Sequence, residues 1–205
     1  MTVTELLRAD LQLIRDLIPE GSRVLDLGCG DGSLLAHLRD EKGCFVRGLE
    51  ITPEGVAACL GRGLSVVQAD LDEGLAGYPD DAFDVVVLSQ TLQVVRRPAF
   101  VLREMLRVSG QGIVSFPNFG HWRVRAYLAF RGRMPVSRSI PYSWYDTPNI
   151  HHTTLKDFRD FVLANGGTII REVPLRLENG HSAREARVLA NLTADTAVAV
   201  VGRAG

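Results

Sequence analysis

The run Asp26-Leu27-Gly28-Cys29-Gly30-Asp31-Gly32 is where this sequence concentrates residues able to do chemistry. Glycines let a backbone turn sharply and bring a ligand close to the main chain, and a helix following them offers its N-terminal amides. Dinucleotide loops space the third glycine three residues after the second, so that a pyrophosphate sits on the helix. Here Gly32 follows Gly30 by two, and Asp26 brings a carboxylate that would repel a pyrophosphate. A zwitterionic amino-acid tail carrying a sulfonium suits this loop better. Turn glycines without a ligand are the plain competing reading.

Two further acids reinforce the ligand reading. Glu50 ends a second apolar run, where a carboxylate can accept both hydroxyls of a ribose, and Ile51 follows it. Asp70 comes after a third run, placed to accept an adenine amino proton, with Leu71 beside the ring. Either acid alone reads equally well as a solvated side chain or a helix cap. Three acids at successive strand ends make coincidence a poor explanation.

These residues need a scaffold that gathers strand ends along one edge. Arg23–Leu27, Phe45–Glu50, Leu64–Ala69, Phe83–Ser89 and Gly112–Phe116 read as strands. Phe83–Ser89 is apolar almost throughout, as in a strand buried on both faces of a parallel sheet. Helices are expected in four places: from the N-terminus to about Pro19, after Gly32, over Thr52–Gly61 and over Ala99–Arg107. A Thr2–Glu5 capping box would start the first. Thr153–Asn165 reads as a further helix closed by Gly166 and Gly167, and Thr168–Val173 and Thr196–Val201 as the last two strands. The alternation predicts an α/β, Rossmann-like fold: a seven-stranded, mostly parallel sheet with helices on both faces, in a single domain.

Residues 117–152 break this rhythm. Four prolines, several aromatics and five arginines accompany at most one helix, near Trp122–Phe130. The stretch reads as an insertion over the ligand edge, because linkers are seldom so aromatic. Tyr142, Trp144, Tyr145 and Trp122, with Arg123, Arg125, Arg131, Arg133 and Arg138, are the residue types that anchor protein interfaces. A lid, or an ordinary insertion with a solvated basic face, would use the same residues.

Composition bounds the function. Of 205 residues 46% are hydrophobic and 23% charged, with a formal net charge of -1, so no electrostatic footprint for nucleic acid is present. The N-terminal residues lack a secretory pattern and no apolar run is long enough to span a bilayer, so a cytoplasmic protein without nucleic-acid or membrane partners is expected. Cys29, Cys44 and Cys59 have neither disulfide-framework nor zinc spacing. Cys29 reads as a small packing residue inside the loop. Candidate bases are few: Ser89, Gln90 and Thr91 transfer no proton near neutral pH, and His151 and His152 read as structural or capping residues. His121 is open between the two roles.

The run VLDLGCGDG, with Glu50, Asp70 and FDVVVLSQTLQ, resembles class I S-adenosylmethionine-dependent methyltransferases over residues 20–116. The resemblance implies Asp26, Gly28 and Gly30, with Cys29 and Gly32 in the same loop, around the methionine moiety. It implies Glu50 and Ile51 at the ribose, Asp70 and Leu71 at the adenine, and Ser89 and Gln90 lining the cofactor and facing the substrate. SQTLQVVRRP, FPNFGHWRVR, GRMPVS, YSWYDTPNIHHTT and KDF are similar to the MetW family of methionine-biosynthesis proteins, extending the likeness over residues 20–171. That resemblance implies binding of S-adenosylmethionine or S-adenosylhomocysteine and action in a complex with homoserine O-acyltransferase. The alternative is a stand-alone small-molecule methyltransferase.

Overall fold

The structure is a computed structural model that describes residues 6–137 and 139–204; the Thr2–Glu5 capping box and Arg138 lie outside the described residues. The chain begins with α1 (Ala9–Leu17), β1 (Arg23–Leu27), α2 (Ser33–Lys42), β2 (Phe45–Glu50), α3 (Pro53–Gly61) and β3 (Val66–Gln68). A 3-10 turn over Leu71–Glu73 precedes β4 (Val85–Ser89), α4 (Pro98–Val108), β5 (Gln111–Pro117) and α5 (Trp122–Arg131). Then come α6 (Leu155–Ala164), β6 (Gly167–Leu177), β7 (Ala183–Glu185), α7 (Ala190–Thr193) and β8 (Thr196–Arg203).

The strands form one sheet in the order β3-β2-β1-β4-β5-β8-β6-β7. From β3 through β5 neighbouring strands pair in parallel, whereas β8, β6 and β7 join antiparallel. The expected seven strands are thus eight. The addition is β7, three residues (Ala183–Glu185) that carry no apolar alternation and pair only with the end of β6. Strand β6 is also longer than Thr168–Val173, reaching Leu177, with a register irregularity around Ile170.

Alternate residues of the central strands serve two cores. Val24, Val85, Val87, Ile113 and Val198 face one side, where Ile14 and Ile18 of the N-terminal segment and Leu34 and Leu38 of α2 cover them. Leu25, Leu27, Val86, Leu88 and Val114 face the other, under Leu102 and Met105 of α4 and Phe158 and Val162 of α6. That period of two puts Asp26 on the α1–α2 side with Val24. Helix α6 is started by a capping box between Thr154 and Asp157, which holds its first turn over the sheet.

Candidate functional site

Strand β1 ends in a loop whose backbone only glycine tolerates cheaply: Gly28, Gly30 and Gly32 all have left-handed φ, at 76°, 56° and 77°. Their surroundings differ. A Cβ at Gly28 would lie 2.8 Å from Thr91 Oγ1, and one at Gly32 would lie 2.5 Å from Leu64 Cδ1. At Gly30 it would meet nothing within 4 Å. Gly30 therefore opens on free space, while Gly32 packs the start of α2 against Leu64 and Cys59.

Glu50, at the end of β2, grips the loop. Its carboxylate accepts from the Gly30 amide at 2.8 Å, and from the Thr52 amide and hydroxyl at 2.9 and 2.8 Å. A group expected to serve only a ribose is also a staple between the glycine loop and the start of α3. Two glycines permit this approach and were missed in the sequence. A Cβ at Gly55 would lie 2.6 Å from Glu50 Cγ and 2.9 Å from the Gly30 carbonyl, and one at Gly48 would collide with Cys29 Sγ. Their signal was an unexplained glycine inside a strand and inside a helix.

Gly28, Glu50, Ile51, Asp70, Leu71 and Thr91 line one cleft of about 340 Å³. Asp70 uses Oδ1 to accept from the Asp72 amide at 2.9 Å, which caps the 3-10 turn and holds Leu71 against the cleft. Asp72, unremarked in the sequence, accepts from the amides of Arg96 and Arg97 at 2.9 and 2.7 Å and so pins the far wall. Pro148 completes that cleft and also borders a second cavity of about 660 Å³, lined by Arg8, Asp10, Gln90, Gln93, Tyr142 and Asn149 among others.

Asp26 lies beneath the loop, 3% exposed, and its Oδ1 has no hydrogen-bond partner. Burial is the main cause that pushes its pKa up to about 7; the Glu50 charge adds to it and the Arg8 charge opposes it. Arg8 and Asp10 were also missed. Buried Asp10 pairs with Arg8 at 3.2 Å and accepts from the Ser115 and Ser89 hydroxyls at 3.1 and 3.4 Å. Ser89 thus belongs to this network at the ends of β4 and β5 and lines neither cavity, while Gln90, with a left-handed φ of 53°, lines the larger one.

Cys29 is buried, its Sγ 3.7 Å from that of Cys59. Burial, chiefly, raises the Cys29 thiol well above the usual range and raises that of Cys59 as well, which disfavours the thiolate at both. His121 is the N-cap of α5: Nδ1 accepts from the Arg123 amide at 3.2 Å and Nε2 stands 3.8 Å from Asp195. Burial lowers its pKa against the pull of Asp195. The ring of His152 stacks on Phe119 at 4.1 Å, and the His151 amide donates to the Gln93 carbonyl. Among the described residues no cluster of three His, Cys, Asp or Glu side chains is arranged for a metal. No helix among them is long and apolar enough to cross a membrane.

The donor set fits an adenosyl amino acid. Asp26 offers a buried, unsatisfied oxygen to an ammonium, Gly30 leaves space at the loop, and Glu50, Asp70 and Leu71 border a cleft of nucleoside dimensions. Solved structures share the fold. A possible histamine N-methyltransferase of Thermotoga maritima, described as S-adenosylmethionine-dependent, superposes with a TM-score of 0.68 at 18% identity, covering 96% of this chain and 88% of its own. Magnesium protoporphyrin IX methyltransferase of Synechocystis, solved with S-adenosylhomocysteine bound, gives 0.61 at 19% identity, covering 95% and 80%. In sequence, a bifunctional methionine biosynthesis protein, MetXA/MetW, of Rhodopirellula baltica is 38% identical over 201 residues, 94% of this chain. The chain spans about a third of that relative's length, 32%. The profile of the family described as methionine biosynthesis protein MetW matches residues 8–201. On that match, covering nearly the whole sequence, the chain belongs to the MetW family of methionine-biosynthesis proteins.

Proposed function

We propose that this chain binds S-adenosylmethionine or S-adenosylhomocysteine at the end of β1 and acts with homoserine O-acyltransferase in methionine biosynthesis, in the cytoplasm. The observation that carries the binding is the unpartnered Oδ1 of Asp26, fully shielded from water. A buried polar atom without a partner costs roughly 1–3 kcal/mol, which a ligand ammonium would recover. Arg8, within electrostatic reach of Asp26, is suited to the ligand's carboxylate. Glu50 takes the ribose while keeping its hold on Gly30, and Asp70 and Leu71 take the adenine. Bound S-adenosylmethionine would supply an electrophilic methyl group.

What supports the partnership is the relative in which this domain forms part of a longer MetXA/MetW chain. The ligand, as a downstream product of the pathway, would report methionine status to the partner if it favoured one state of the complex. Calorimetry with S-adenosylhomocysteine, and acyltransferase assays with this protein and with and without ligand, test both parts. An acyltransferase that neither binds nor changes rate sinks the partnership, and absence of ligand heat sinks the site.

One observation favours a second reading, a stand-alone methyltransferase. The 660 Å³ cavity meets the cofactor cleft at Val94 and Pro148 and could hold an acceptor. Its lining can align an acceptor, and His181, missed in the sequence, stands in that lining as a candidate base for an acceptor that must lose a proton. Labelled methyl transfer to a metabolite, lost in Asp26→Asn, would establish it.

A further inference from the structure

Helix α5 buries only Val124 of its ten residues. Isolated helices of this length are marginal in water, and packing of an apolar face ordinarily supplies their stability. Here the apolar residues face outward instead. Tyr127, Leu128 and Phe130 are exposed, Phe130 by 87%, and the segment that follows exposes Trp144 and Tyr145 by 74% and 75%. About half of all exposed large apolar side chains among the described residues fall between Trp122 and Tyr145. Tyr127, Met134, Val136, Trp144 and Tyr145 together line a concavity of about 530 Å³.

The charge along this stretch is nearly all of one sign, with exposed Asp146 at its end. From Asn118 to Tyr145 the sequence holds five arginines and no acid, in a chain whose net charge is -1. Arg131 and Arg133 are exposed beside the concavity, and among the described residues neither pairs with a carboxylate. Exposed aromatics, methionine and arginine around a hollow are the composition of a protein interface centre. A bilayer surface fits less well. Around the α5 axis Arg123 and Arg131 alternate with Trp122, Tyr127 and Phe130, so its apolar residues could not enter lipid without taking guanidinium groups along.

We infer that the α5 face with the Met134–Tyr145 segment is the docking surface for a partner protein that presents an apolar knob ringed by carboxylates. This inference rests on the proposed partnership and identifies that partner as the acyltransferase. The same segment reaches the ligand sites: Tyr142 and Asn149 line the larger cavity and Pro148 lines the cofactor cleft as well. A partner seated on Trp144 and Tyr145 thus leans on chain that borders the bound cofactor.

The test measures affinity between the intact chain and purified homoserine O-acyltransferase by biolayer interferometry. Wild type is compared with Trp144→Ala, Phe130→Ala and the double variant Arg131→Glu, Arg133→Glu. Each aromatic truncation should weaken binding about tenfold or more, the charge reversal at least as much, and rising salt should weaken the wild-type complex. Phe45→Ala, an exposed aromatic at the opposite end of the sheet, should bind like wild type. Melting temperature and S-adenosylhomocysteine affinity should stay unchanged in all of them, which separates docking from folding. Wild-type affinity in all three face variants overturns the docking surface and leaves the partnership standing. No wild-type binding overturns both. Self-association or adsorption to phosphatidylserine vesicles that depends on Trp144, in place of acyltransferase binding, also overturns the inference.

Discussion

At the level of single residues, the proposed role of Asp26 carries a pH signature. A carboxyl whose folded pKa, about 7, exceeds its unfolded value of about 3.9 binds its proton more tightly in the native state. Its contribution to stability is therefore greatest below about pH 4 and declines as pH rises toward 7. Denaturant titrations of ligand-free protein should show Asp26→Asn gaining on wild type across that window. A ligand ammonium favours the ionised form, so S-adenosylhomocysteine affinity should rise with pH up to about 7 and binding should release a proton. The calorimetric enthalpy will then depend on the buffer's ionisation heat; a pH-flat affinity would remove Asp26 from the site. The glycines divide similarly. Gly30→Ala meets open space, so it should cost only the ~1–2 kcal/mol of a left-handed alanine while lowering cofactor affinity at least about tenfold. Gly28→Val, which would place a side chain at the cleft, also collides with Thr91 and will lower the melting temperature as well as the affinity. Glu50→Ala likewise leaves the Gly30 and Thr52 amides without their acceptor, so stability falls by roughly 1–3 kcal/mol along with affinity.

Among the elements, helix α3 tests whether the loop depends on close approach. Alanine ordinarily stabilises a helix over glycine by ~1 kcal/mol. Gly61→Ala, with nothing within 4 Å, should do so. Gly55→Ala should do the reverse and weaken cofactor binding, because its Cβ would press on Glu50 and the Gly30 carbonyl. Equal melting temperatures for the two variants would contradict the staple. Strands β1, β2, β4 and β5 and helices α4 and α6 were legible in the sequence to within a few residues, because apolar periodicity marks elements buried by their own faces. Strand β7 was not, since Ala183–Glu185 is strand only through its pairing with Leu175–Leu177. Nor was the role of NFGHW legible. Asn118 donates to the Ala194 carbonyl at 2.8 Å and His121 Nε2 faces Asp195 at 3.8 Å, neighbours far along the chain.

For the molecule as a whole, ligand binding should be visible as stability. Saturation at a hundred times the dissociation constant adds about 2.7 kcal/mol, which for a chain of this size raises the melting temperature by about 5–10 °C. Asp26→Asn should lose that shift, and a ligand that leaves wild-type melting unchanged is not bound at the β1 edge. What the sequence determined by itself was the sheet's parallel half and the loop at its edge. Periodicity and glycine spacing are local properties, and Asp26, Glu50 and Asp70 lie within two residues of their strands' ends wherever the sheet places those strands. Tertiary structure decided the rest. Only folding brings Arg8 within reach of Asp26, sets Asp10 against Ser89 and Ser115, and turns Glu50 back onto Gly30. It also splits the Asp26–Gly32 loop into an open position at Gly30 and packed ones at Gly28 and Gly32, because what a missing side chain makes room for depends on neighbours distant in sequence.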